Sequence, residues 1–142
     1  MTTRTTAETL TVELRLLRAK GLNVRHLTEH GCSRRYDRAV AMLDDGARPA
    51  INRPDPARPD YWDCEAPSAS EGGVSYRVTL DPLNRHGHYE WTCTCQDARN
   101  VHGYRRGACK HARMVGLLLL DDLRDAYRIC ADALREELES AA

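Results

Sequence analysis

Two short pairs, Cys93-Thr94-Cys95 and Cys109-Lys110-His111, constrain this 142-residue chain more than any other feature. Three thiols and an imidazole grouped so closely are the donor set of a structural zinc site, in which four ligands close a tetrahedron and leave no position open. Side chains two apart on a strand share a face, so Cys93 and Cys95 suit the end of a strand. Cys109 and His111 suit the start of a helix, where unpaired N–H groups and the positive dipole end favour thiolate over thiol. The expected product is a strand-loop-helix clasp on one zinc ion. Three thiolates and a divalent cation leave about one negative charge, which Arg106, Lys110 or Arg113 can offset.

The other cysteines and histidines do not share this spacing. Cys32, Cys64 and Cys130 have no close partner and read as small buried hydrophobes. The even count of six leaves disulfides open in principle, but in a reducing compartment close-spaced cysteines with a histidine favour metal. His86 and His88 read as surface histidines in a polar loop. His102 competes with His111 as fourth ligand, and His111 is favoured because its offset from Cys109 mirrors the other pair.

Around the clasp, apolar periodicity divides the chain into four segments. Residues 1–45 form an N-terminal helical segment: residues 7–20 place Leu10, Leu14 and Leu17 on one face and stop at Gly21, and a second helix runs from a Ser33 cap to about Asp45, with Tyr36, Val40 and Leu43 inward and Gly46 closing it. Residues 46–60 carry four prolines and read as a stiff extended connector. Residues 61–120 hold three expected strands, at 61–65, 75–80 and 89–94, followed by the clasped helix. Residues 121–142 continue an acidic amphipathic helix with Leu123, Tyr127, Cys130, Leu134 and Leu138 in a stripe; whether it is continuous with the preceding helix is open. The expected fold is α+β: a small three-stranded antiparallel sheet with a zinc-clasped C-terminal helix, preceded by two N-terminal helices.

Net charge is zero, with 21 basic and 21 acidic residues, so overall charge does not draw the chain to nucleic acid or a membrane. The charge is instead segregated. Residues 96–113 carry Arg99, Arg105, Arg106, Lys110 and Arg113 against Asp97 alone, whereas residues 121–140 are strongly acidic. No apolar run reaches membrane-spanning length and the first twenty residues lack the pattern of a secretory signal, so a cytoplasmic protein is expected.

The quoted motifs, together with S-x-S-x-G-G at residues 68–73 before a Tyr-x-Val strand, resemble the SWIM zinc finger, whose pattern is C-x-C, a variable loop and C-x-H on a β-β-α frame. The resemblance spans about residues 33–120 and is specific over 89–115. SWIM modules occur in transposases, remodelling-type ATPases and small accessory proteins of recombinases, so the resemblance implies DNA transactions or protein docking. Relatives often follow the first pair with Pro-Asp and an aromatic; here Gln96-Asp97-Ala98 stands there, and Tyr104 is the aromatic available to replace it.

The resemblance, taken with the residues, implies two functions. In one, the chain is a DNA-binding accessory of recombination, repair or a mobile element, with Arg99, Arg105, Arg106, Lys110 and Arg113 on phosphates and Tyr104 as a stacking platform for a single strand. Arg34, Arg35 and Arg38 extend that patch if their helix packs nearby; otherwise they form an outward face. In the other, Tyr127 and Leu134 dock a recombinase-like protein, an ATPase or a second copy of the chain, without nucleic acid. No nucleophile-base pair, phosphate loop or open metal position is legible, so an enzyme is not expected.

Overall fold

In a computed structural model the described residues are 6–31, 33–52, 56–58, 61–81, 90–99 and 107–141. Leu10, Leu14 and Leu17 set one face of α1 (Thr6–Asn23), which runs through Gly21 instead of stopping there. Packing along the C-terminal helix outweighs the roughly 1 kcal/mol that glycine costs inside a helix. A single turn, α2 (Arg25–Thr28), follows and buries Leu27.

Helix α3 (Arg34–Asp44) begins as its sequence requires, with the Ser33 hydroxyl accepting from the Tyr36 amide. It ends in a Schellman turn: Gly46 at φ +94° donates to the Leu43 carbonyl and Ala47 to that of Met42. Ala39 and Met42 are its buried positions, while Tyr36, Val40 and Leu43 flank them half-buried.

The described strands form a four-stranded antiparallel sheet, β1-β2-β3-β4, one strand more than expected. The added strand is β1 (Ala50–Ile51), inside the proline-rich connector. It pairs with β2 (Trp62–Pro67) through Ala50 opposite Glu65 and Ile51 opposite Cys64, and the Asn52 amide donates to the Asp63 carbonyl. At a sheet edge only one side of a strand needs donors, so a short proline-free stretch suffices. β3 (Ser75–Asp81) pairs along all of β2, and β4 (Glu90–Cys93) pairs with β3. This register sets Cys64, Val78 and Cys93 side by side on the inner face, all buried.

That face is covered by the start of α5 (Lys110–Ala141), whose residues 111–116 are buried without interruption. The helix passes Asp121 and Asp122 unbroken, so the clasped helix and the acidic stripe are one element of 32 residues. Beyond Leu119 only Cys130 on it is buried; there it lies along α1, where the Cys130 thiol meets the Leu10 carbonyl at 3.5 Å. Gly116 lets α2 approach closely: a Cβ added there would stand 2.7 Å from the Leu27 Cβ. No helix among the described residues is long and apolar enough to cross a membrane.

Candidate metal centre and the cleft beside it

β4 delivers Cys93 at its last residue, and Cys95 does not continue the strand as expected but opens a turn into the short helix α4 (Gln96–Arg99). The turn forms because the sulfurs accept backbone hydrogens: the Cys95 amide points to the Cys93 sulfur at 3.5 Å and the Ala98 amide to the Cys95 sulfur at 3.4 Å. α5 delivers the second pair in the same way, with the Ala112 amide 3.5 Å from the Cys109 sulfur. Amides directed at sulfur are the wiring that favours thiolate.

The ligand atoms of Cys93, Cys95, Cys109 and His111 all lie within 4.8 Å of one another, and all four residues are buried. A zinc tetrahedron with ordinary bond lengths has edges of roughly 3.5–3.8 Å. The Cys93 sulfur and His111 Nδ1 are 3.9 Å apart, close to such an edge. His111 Nε2 is buried without a hydrogen-bond partner in the protein, and the Tyr76 ring, 4.7 Å away between centroids, steadies the imidazole.

The protonation chemistry points the same way. With no cation between them, hydrogen bonding to Cys109 and burial push the Cys95 thiol up to about 12. Cys93 and burial push Cys109 to about 12 against an opposite effect of Cys95. Burial lowers His111, which keeps its imidazole neutral and able to ligate. Crowded sulfurs that resist ionisation when alone become stable as thiolates around a divalent cation. The four residues fit a single metal ion, with every ligand supplied by the protein.

The segments flanking the ligands build a second feature. Asp97, two residues after Cys95, accepts a forked pair of hydrogen bonds from Arg35 Nε and Nη2, each 2.8 Å long. This tie joins α4 to α3 across 62 residues of chain and holds the Arg35 side chain largely out of water. Arg35, Asp97 and Lys110, which lies between two ligands, line a cleft of about 680 Å³ with Gly31, Ser33, Arg34 and Arg38. α3 therefore packs beside the clasp and brings its arginines to it. A smaller cavity of about 160 Å³ lies against Cys95, Cys109 and His111, walled by Ser68, Ser70 and Tyr76. The S-x-S turn is thus part of the centre's surroundings, and Asp97, in the sequence only the lone acid of a basic stretch, gains a role through its long-range tie to Arg35.

The expected nucleic-acid contacts fall into three groups. Arg99 is exposed on α4 and Lys110 is half-buried at the cleft. Arg113 is placed against expectation: it is 7% exposed, and its guanidinium donates to the Ala108 and Glu29 carbonyls at 2.9 and 3.2 Å. Those bonds fasten the start of α5 to the end of α2, and a buried cation spent on carbonyls is not a surface phosphate contact. Tyr104, Arg105 and Arg106 lie outside the described residues, as do Cys32, His86, His88 and His102. Of the expected partner contacts, Tyr127 is 42% exposed and Leu134 half-buried. Tyr127 borders an apolar groove with Leu17, Leu22, Leu120 and Leu123, rimmed by Arg18 and Arg124. Set against family models, curated proteins and solved structures, the chain finds a match in none of the three.

Proposed function

We propose that this chain is a zinc-stabilised binding module of the SWIM type, and that it serves as a DNA-binding accessory in recombination, repair or mobile-element function. Zinc is the metal because soft thiolates with one imidazole in a closed set of four select it over harder cations. A site closed by protein ligands leaves no position to activate water, so the ion is a component of the fold and the chain acts by binding and not by catalysis. The observation that carries the DNA reading is the gathering of Arg34, Arg35, Arg38 and Lys110 around one cleft beside the metal centre. Clustered cations of this kind meet phosphate, whereas the overall charge of zero does not. Arg99, Tyr104, Arg105 and Arg106, singled out by the sequence, are further nucleic-acid contacts in this reading. The module works in the cytoplasm, where thiolate ligands stay reduced.

Fluorescence anisotropy with labelled single- and double-stranded oligonucleotides at 50 and 200 mM salt tests the reading. The expected result is binding that weakens about tenfold or more over that interval. Binding that ignores salt, or none below about 10 µM, removes DNA as the ligand. Zinc is checked separately, by metal analysis of the purified protein and an anomalous-scattering map.

A second reading has its own observation. The apolar groove beside Tyr127, between α1 and α5, is suited to a protein helix, so a docking adaptor for a recombinase-like partner or an ATPase is the alternative. It predicts partner capture that Tyr127→Ala abolishes and that salt leaves unchanged.

A further inference from the structure

Arg34, Arg35 and Arg38 of α3 and Lys110 at the start of α5, far apart in sequence, line one cleft, with Asp97 as the carboxylate of its lining. Three thiolates and a zinc ion behind the wall contribute about one further negative charge. The cleft therefore remains about two charges positive, in a recess where water screens less than on an open face. Like charges repel, so a fold that gathers four cations in one recess does so at a cost that an arriving anion relieves.

The geometry at Arg35 shows what kind of anion. Two of its nitrogens each lie 2.8 Å from one of the two Asp97 oxygens, the fork geometry that guanidinium uses for carboxylate and phosphate alike. Asp97 is held in that position by the turn wired to the Cys95 sulfur through the Ala98 amide. It has the shape of an internal stand-in.

We propose that the cleft binds a phosphate group, with Arg34, Arg38 and Lys110 as its cationic ligands and Asp97 as a resident competitor that occupies the fork of Arg35. The inference rests on the nucleic-acid reading and deepens it, by naming the group recognised and the residue that weakens its binding. The phosphate comes either from a nucleic-acid strand or from a free phosphate ester, and the two sources present the same oxygens to the cleft. Asp97 gives the proposal its sign. A carboxylate that merely stabilises the fold would, when neutralised, loosen α4 and weaken any ligand. A competitor, when neutralised, strengthens binding.

The test uses the zinc-loaded full chain and two probes: inorganic pyrophosphate by isothermal titration, and a fluorescein-labelled oligothymidylate by anisotropy at 50 mM salt. Arg34→Gln/Arg38→Gln, on the solvent side of α3, is expected to weaken both probes about tenfold. Asp97→Asn is expected to tighten both about threefold, at unchanged zinc content and far-ultraviolet circular dichroism. Pyrophosphate binding lost in the arginine variant, with no oligonucleotide binding at all, would uphold the cleft for a free phosphate ester and remove the DNA reading. Oligonucleotide binding that the arginine variant leaves untouched would overturn the cleft and leave the DNA reading standing. Equal or weaker binding by folded Asp97→Asn would overturn the role given to Asp97.

Discussion

The two ends of α5 live in different surroundings. Its first ten residues lie under the sheet, where Val78, Leu80, Cys64, Ala66, Ala112 and Met114 are almost fully buried and the four candidate ligands close the edge. Further along it packs on α1, where Leu17 and Cys130 are the buried positions and Leu16, Leu22, Ile129 and Leu138 are all more than half exposed. The clasped end has no phenylalanine, yet it is the better sealed. A metal ion can supply folding energy that a small apolar core does not. The helical end buries fewer large side chains and carries no candidate ligand, so its order depends on one neighbouring helix.

The sharpest way to break this contrast is to remove a ligand. Cys109→Ala, or a strong chelator, is expected to dissolve the sheet end, because structural zinc contributes on the order of 10 kcal/mol at neutral pH. Hydrogen exchange read residue by residue should show protection lost first over β2, β3 and β4 and over residues 110–119, with α1 falling less. An unchanged melting temperature in the metal-free protein would end the metal account.

Gly116→Ala probes the junction without touching the ligands. The new Cβ would meet the Leu27 Cβ at 2.7 Å, and neither helix can yield by turning a side chain. A loss of about 2–3 kcal/mol in denaturant unfolding is expected, with metal binding unaffected. A neutral effect would mean that α2 is not seated on α5 as tightly as described.

The grouping of Cys93, Cys95, Cys109 and His111 was legible because two donor pairs at one spacing satisfy a chemical requirement that core packing does not impose. The α3 cap and its closing Gly46 were legible for a similar reason, since each supplies a hydrogen-bonding or dihedral demand that few residues meet. β1 was not, because prolines on both sides of Ala50 and Ile51 mask a strand that needs donors on only one edge. The stop at Gly21 misread a glycine that α5 holds in helix. Arg113 reads in the sequence as one more basic residue beside the candidate ligands, and its burial against the Ala108 and Glu29 carbonyls comes from the fold alone. The cleft itself joins α3 to residues about sixty positions away, and short-range pattern carries no information about that contact.

Leu134→Ala measures the helical end of α5 directly. A half-buried leucine packed along one helix should lose about 1 kcal/mol, well below the cost of truncating a fully buried one such as Leu80. A loss of 3 kcal/mol or more would show that this face is covered in solution, by a second copy or a partner, and would erase the contrast with the clasped end.

The smallest effect belongs to the outer face of the sheet, where neither metal nor core contributes. Asp63 on β2 accepts from Arg77 Nε and Nη2 on β3 at 3.0 and 2.7 Å, and from the Asn52 side chain at 3.0 Å. Arg77 above all, with Asn52, holds the Asp63 carboxyl below its ordinary value in spite of partial burial. A carboxylate with a depressed folded pKa adds stability that is fully present above its unfolded value, near 3.9, and is lost as pH falls through the folded one. Asp63→Asn should therefore lower the melting temperature by about 2 °C at pH 7, as expected for a pair open to solvent. The difference should shrink below about pH 4 and vanish once the wild-type carboxyl is protonated. Thermal melts of both proteins across that interval decide it: a gap that persists at low pH would mean that Asp63 acts through shape and not through charge.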